Sequence, residues 1–268
     1  MKNKLFMLML VLVIGVLAAC GTKDAGSNAD SGSNIDSDNE GNKKVLIMGT
    51  SADYKPFEFV DSAKGEEIIG YDIDLANMIG EKLGFGVKIQ DMDFNSLVPA
   101  LQAGKLDFVI SGMSPNEERE KVVDFSEPYN ETRQVLIVKK DSGIKKTADL
   151  AGKIVGVQTA SIQEEMAKEM AKTIDFKNES RTRVPEIVQD MMAKRIDAAI
   201  VESGVAEGYV KKNDKLIALP IKEQVADYKA IAVAEGSELK AQIDKALKEL
   251  VEEGKIKELE EKWLQSAE

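Results

Sequence analysis

The residues best suited to chemistry fall in a few short stretches. Ile110-Ser111-Gly112-Met113-Ser114-Pro115-Asn116-Glu117-Glu118-Arg119 is the richest of them. Gly112 lets the backbone approach a ligand closely. Ser114 has the pattern of a helix N-cap, with Pro115 at the first helical position and Glu117 three residues on, which predicts a helix starting at Pro115. Free N–H groups and the positive end of such a helix favour an anion. Arg119 adds a guanidinium fork that fits a planar carboxylate. The competing reading pairs Arg119 with Glu117 or Glu118 on a solvated face, and the local sequence leaves both open.

Three further stretches complement this one. Gln158-Thr159-Ala160-Ser161-Ile162-Gln163-Glu164 repeats the capping pattern at Ser161 and Glu164. Glu202 follows the apolar run Ala198-Ala199-Ile200-Val201. A carboxylate at the end of a buried strand is partly desolvated and needs a cation, either a ligand ammonium or a structural partner. Tyr54 and Phe94 lie in loop stretches and read as aromatic walls able to sandwich a side-chain stem. Phe57, Phe59 and Trp263 read as core.

The rest of the composition narrows the chemistry. The chain has 268 residues, no His, one Cys and a net charge of −11. Without His there is no Ser-His-Asp or Cys-His machinery and no imidazole metal site. One Cys permits no intrachain disulfide. The acidic balance argues against nucleic acid, whose phosphates need a basic face. No cofactor and no metal is expected.

These residues need elements to hold them. From Lys44 short β-rich runs alternate with amphipathic helices, the pattern of an α/β fold. Strands are predicted at Val45–Met48, Val87–Ile89, Asp107–Ser111, Gln134–Lys139, Ile154–Val157, Ala198–Val201 and Ala230–Val233. Helices are predicted at Tyr71–Leu83, Ser96–Ala103, from Pro115, Ile162 to about Lys172, Val184–Lys194, and twice in the tail around Gly254. Ala103-Gly104-Lys105-Leu106-Asp107-Phe108-Val109-Ile110 is echoed by Ala193-Lys194-Arg195-Ile196-Asp197-Ala198-Ala199-Ile200. Ile47-Met48-Gly49-Thr50-Ser51 is echoed by Val155-Gly156-Val157-Gln158-Thr159. Such a wide repeat suggests two similar lobes, with a cleft at the carboxyl ends of their strands.

The N-terminus carries an address. Lys2 and Lys4 precede the apolar run Leu5–Val16, which is too short to span a bilayer. Leu17-Ala18-Ala19-Cys20-Gly21 resembles the bacterial lipobox, which implies that residues 1–19 are a signal peptide and that Cys20 carries lipid. Residues 20–43, rich in Gly, Ser, Asn and Asp, read as a flexible tether.

Taken together, residues 44–266 resemble the extracellular solute-binding proteins of family 3, the amino-acid receptors of ATP-binding-cassette (ABC) importers. The resemblance is carried by Gly70-Tyr71-Asp72-Ile73-Asp74-Leu75 and by Asp93-Phe94-Asn95-Ser96-Leu97-Val98-Pro99-Ala100-Leu101. Also in register are the Ser111–Arg119 loop, Val123-Asp124-Phe125-Ser126-Glu127-Pro128-Tyr129, Asp149-Leu150-Ala151-Gly152-Lys153 and Lys262-Trp263-Leu264. It implies a two-lobed type II periplasmic-binding fold, α/β, with crossovers near Asn130-Glu131-Thr132 and Ala226-Asp227-Tyr228. Lobe 1 would be 44–130 plus 228–268, and lobe 2 would be 131–227.

The resemblance also assigns roles. Ser111, Gly112, Ser114 and Arg119 match the carboxylate-binding set, with Ser161 and the backbone N–H of Ile162 opposite. Glu202 matches the acidic residue that takes the α-ammonium, Tyr54 and Phe94 the aromatic walls, and Gln158 a variable side-chain position. Relatives that bind basic or amide side chains often have Asp where this chain has Ser51. Asp53, Glu58 and Asp72 are the candidates to replace that charge. Thr50–Phe59 is most similar to arginine/lysine-type receptors of Gram-positive cells.

The implied protein is therefore not an enzyme. It is an extracytoplasmic receptor with a monomeric folded part, anchored by lipid to the cell membrane, that captures a free, basic L-amino acid and delivers it to a permease and its ATPase. Two alternatives remain: a dehydratase of the prephenate or arogenate type on the same scaffold, and a ligand-sensing lipoprotein.

Overall fold

The computed structural model describes residues 43–222 and 226–265. The expected signal peptide, Cys20 and all but the last residue of the tether lie outside them. Among the described residues no helix is long and apolar enough to cross a membrane.

In the first half, β1 (Val45–Thr50) leads into a small antiparallel sheet of β2 (Asp53–Tyr54), β3 (Glu58–Asp61) and β4 (Glu67–Ile69). Helix α1 (Tyr71–Leu83), β5 (Gly86–Asp91), α2 (Phe94–Gln102), β6 (Phe108–Val109) and β7 (Val123–Phe125) follow. The chain then passes through β8 (Asn130–Thr132) into β9 (Gln134–Lys139), β10 (Ile154–Gln158), α3 (Ile162–Met170), β11 (Lys177–Arg181), α4 (Val184–Met192), β12 (Ala198–Glu202), α5 (Ser203–Lys212) and β13 (Leu216–Pro220). It returns through β14 (Asp227–Lys229) to β15 (Ala232–Ala234), α6 (Leu239–Glu252) and α7 (Lys255–Glu260).

Two five-stranded sheets result, ordered β5-β1-β6-β15-β7 and β11-β10-β12-β9-β13. Each is the centre of one lobe of an α/β protein. The two strands that carry the chain between them, β8 and β14, pair with each other from Asp227↔Thr132 to Lys229↔Asn130.

The internal echo is a true structural repeat. β1 lies between parallel β5 and β6, and β10 between parallel β11 and β12. Asp107 accepts the Ile47 N–H at 2.7 Å, as Asp197 accepts the Ile154 N–H at 2.9 Å. Gly104 (φ 67°) and Lys194 (φ 63°) make the same left-handed turn, Lys194 at a steric cost that Gly104 escapes. Gly49 and Gly156 leave room for the side chain that packs across the repeat. A Cβ would stand 2.3 Å from Leu106 at the first and 2.9 Å from Ile196 at the second.

Helix α1 follows its sequence pattern. Ile73, Leu75, Ala76 and Ile79 form its buried stripe, and left-handed Gly84 ends it. Its start depends on Gly70 (φ 141°), because Tyr71 and Asp72 donate their N–H groups to Pro56 O (3.1 Å) and Phe57 O (2.9 Å). A Cβ on Gly70 would lie 2.1 Å from Phe57 O. Gly70→Ala should therefore cost about 3 kcal/mol or more of stability in urea unfolding; a loss under about 1 kcal/mol would show that this cradle yields freely. Trp263 plugs the end of α1, edge-on to Phe59 at 6.0 Å, with its indole N–H donated to Asp74 at 2.7 Å.

Several sequence expectations are corrected. No helix begins at Pro115; residues 117–122 form turns. Asn116 captures the Arg119 N–H through Oδ1 at 2.8 Å, and Val122 and Val123 donate to Arg119 O at 3.0 Å, so the chain folds back into β7. Phe94 is the first residue of α2 rather than a loop residue before it. The expected strand at Asp107–Ser111 pairs only at Phe108–Val109, and the strand expected at Ala230–Val233 runs from Ala232 to Ala234. Helix α5, directly after Glu202, was not expected.

Candidate functional site

The carboxyl ends of β1, β6, β10 and β12 face one narrow cavity with about 10 Å³ of free space, room for about one water molecule. Helices α2, α3 and α5 begin at it. All ten expected positions line it: Tyr54, Phe94, Ser111, Gly112, Ser114, Arg119, Gln158, Ser161, Ile162 and Glu202. Ser51, Glu58 and Gln163 complete the wall.

Arg119 is 7% exposed and sits 5.2 Å from the Phe94 ring centroid. Its Nη1 donates to Ser114 O on its own lobe and its Nη2 to Ala160 O on the other, at 2.8 Å. Burial lowers its pKa to about 10, which leaves it charged at neutral pH. The hydroxyl of Ser114 is buried in the same wall with no hydrogen-bond partner among the described residues. Gly112 has φ 51°, and a Cβ there would lie 3.1 Å from Tyr54. Its N–H, however, is used by Asp72 Oδ2 at 2.7 Å, so the residue offers close approach rather than a spare donor.

On the opposite wall Ser161 is a working N-cap. Its Oγ accepts the Glu164 N–H at 3.1 Å and donates to Gln158 O at 2.7 Å. Gln158 donates its amide to Thr182 O at 3.1 Å. Gln163 bridges to Gln134 Oε1 at 2.9 Å and approaches the Tyr54 hydroxyl at 3.5 Å. Burial pushes the Tyr54 phenol well above its ordinary pKa, and the neighbouring Glu202 pushes it further.

Glu202 reaches the cavity as expected but already holds an internal cation. Its Oε2 is paired with Lys229 Nζ, and both side chains are buried. Burial raises the Glu202 pKa and Lys229 pulls it down. The lysine ammonium also lies 4.3 Å from the centroid of the Phe57 ring.

Of the three acids considered in place of an Asp at Ser51, only Glu58 lines the cavity. Ser111 Oγ donates to its Oε1 at 2.8 Å. Burial, then the charge of Asp72, raises its pKa well above the carboxylate range. Asp72 stands behind it, holding Gly112 and the Tyr129 hydroxyl. Asp53 turns away to Ser51 Oγ at 2.7 Å and to the Val184 N–H at 2.7 Å. Lining the cavity or lying directly behind it are two cations, Arg119 and Lys229, and three carboxyl groups, Glu58, Asp72 and Glu202.

The sequence profile of the bacterial extracellular solute-binding proteins, family 3, matches residues 46–266. This chain is a family 3 solute-binding protein. The binding protein is 44% identical to the arginine-binding extracellular protein ArtP of Bacillus subtilis (strain 168), over 98% of each chain. It also matches the structure of an ancestral arginine-binding protein bound to arginine, with a TM-score of 0.77 and 41% identity over 82% of this chain and 98% of that one. The amino-acid ABC transporter substrate-binding protein AbpA of Streptococcus pneumoniae, bound to L-arginine, superposes with a TM-score of 0.78 at 35% identity over 83% and 95%. Family membership makes the binding protein an extracellular receptor rather than an enzyme.

Proposed function

We propose that the protein captures a basic L-amino acid of the arginine type by closure of its lobes and hands it to the permease of an ABC importer. The carrying observation is the convergence of Arg119 from one lobe, Glu202 from the other and Glu58 beside them on a single buried cavity. Arg119 and the partnerless Ser114 hydroxyl would take the carboxylate, with the start of α3 opposite. The α-ammonium would approach Glu202 beside Lys229, since a carboxylate has room for several donors. Glu58 would face the side-chain cation, with Tyr54 and Phe94 against the stem. With all groups ionised the walls carry one net negative charge, which an amino acid with a cationic side chain neutralises and a neutral one does not.

Lobe boundaries at 44–130 plus 228–268 and at 131–227 fit the pairing of β8 with β14, which would serve as the hinge. Residues 1–19 would be removed and Cys20 lipidated, tethering the receptor to the membrane of a Gram-positive cell beside its permease and ATPase. The relatives' binding roles weigh against a dehydratase. Calorimetric titration with each of the twenty amino acids tests the reading. Arginine should bind at micromolar Kd or tighter, about 8 kcal/mol, and glutamine at least about tenfold more weakly. A tighter glutamine or acidic ligand would defeat it.

A further inference from the structure

The strand orders place β5 and β11 each at one edge of its sheet, with β1, β6 and β15, or β10, β12 and β9, between them and the β8–β14 pair. The ends of these edge strands meet. Arg183, just after β11, forks onto Asp91 at the end of β5, with Nη1 to Oδ1 at 3.0 Å and Nη2 to Oδ2 at 3.3 Å. Its Nε donates to Asp93 Oδ1 at 3.0 Å, and its Nη1 lies 3.6 Å from Asp53 Oδ1. The next residue joins in, because the Val184 N–H at the start of α4 donates to Asp53 Oδ2 at 2.7 Å.

One side of this contact is prepared without the other. Asp91 is held by the Ala52 N–H at 2.8 Å and Asp53 by the Ser51 hydroxyl. Three carboxylates are thereby gathered on one lobe, repelling each other until a cation arrives. The guanidinium supplies it, and the positive end of α4 adds to it. None of the four side chains lines the amino-acid cavity.

We propose that Arg183 with Asp53, Asp91 and Asp93 forms a clasp across the mouth of the cleft, remote from the hinge, which sets how long the closed state lasts without choosing the ligand. The proposal rests on the closure reading above. At the edge farthest from the hinge strands a given opening angle separates groups most, so the clasp breaks early in opening. In the liganded protein it forms once the lobes have closed, so its loss shows in release more than in capture. Asp91 and Asp93 are 35% and 48% exposed, so the clasp weakens as salt screens it.

The test is stopped-flow binding of L-arginine to the wild type, Arg183→Gln, Asp91→Asn and the double variant at low and high salt. The clasp predicts about tenfold weaker affinity in Arg183→Gln, carried by faster release. It also predicts a flatter salt dependence than the wild type and a double variant little worse than either single one. Small-angle X-ray scattering of the ligand-free proteins adds a reading without ligand: the wild type should become more compact as salt is lowered, and Arg183→Gln should not. Unchanged release and salt slope, or equal compaction in both proteins, would overturn the clasp. A wild type that ignores arginine yet compacts at low salt, unlike the variant, would retire the arginine reading and keep the clasp.

Discussion

Arg119→Ala is expected to abolish binding of every α-amino acid, a loss of at least about 1,000-fold in affinity. The substitution removes a buried guanidinium that spans the cleft, touching Ser114 O on one side and Ala160 O on the other. A carboxylate there would lose two charge-assisted hydrogen bonds, each about 1.5–3 kcal/mol, and about 4 kcal/mol corresponds to 1,000-fold. It would also be left in a buried site whose remaining charged lining groups, Glu58 and Glu202, are both acids. Arg119→Lys should land between, since the charge survives while the fork and the packing on Phe94 do not. Calorimetry with the preferred ligand decides the matter, with the melting temperature of the ligand-free protein as the control for folding. Retained micromolar binding in Arg119→Ala would remove the carboxylate role.

Ser114 and Ser161 show what local sequence can and cannot tell. Both have a Ser with Glu nearby in helical register. At Ser161 the expected cap forms, because nine helical residues follow and bury Gln163 and Ala167. At Ser114 only eight residues separate the serine from β7, whose Val123–Phe125 must pair with β15. Strand pairing and the Asn116 side chain take the backbone instead, and the Ser114 hydroxyl is left without a partner in the cavity wall. A capping pattern records a preference, and it yields when the element it would start has no room.

Much of the site was legible because its residues follow strand ends, and the repeat around Asp107 and Asp197 marks where those ends are. The cations and acids that pair across long separations were not. Lys229 sits in Asp-Tyr-Lys-Ala-Ile-Ala with nothing to announce full burial, and buried lysines are rare. Its partner Glu202 is 27 residues away. Arg183 and Asp91 are 92 apart and meet only because two edge strands end on the same side of the cleft. Pattern reading finds periodicity within an element; these pairs are products of topology.

That topology makes Glu58 the residue on which ligand charge should turn. Its Oε2 and the Oδ1 of Asp72 are both buried without a hydrogen-bond partner among the described residues; burial raises the pKa of both carboxyls, and the charge of Asp72 raises that of Glu58 further. One retained proton on Glu58 resolves both, which is how close carboxyl pairs behave. A cationic side chain arriving beside Glu58 favours its ionised form and expels that proton. Binding therefore releases protons, so affinity for arginine should rise with pH while Glu58 of the free protein still holds its proton. It should level off above that group's raised pKa and fall as the medium becomes more acidic. Calorimetry in buffers of different ionisation enthalpy should register up to about one proton released per arginine. Glu58→Gln keeps the size and the hydrogen bond from Ser111 but cannot ionise. It should weaken arginine by about 100-fold, flatten the pH dependence and close the gap to glutamine, since the walls then lose their net negative charge. Wild-type arginine affinity and pH slope in that variant would place the selecting charge elsewhere in the cleft.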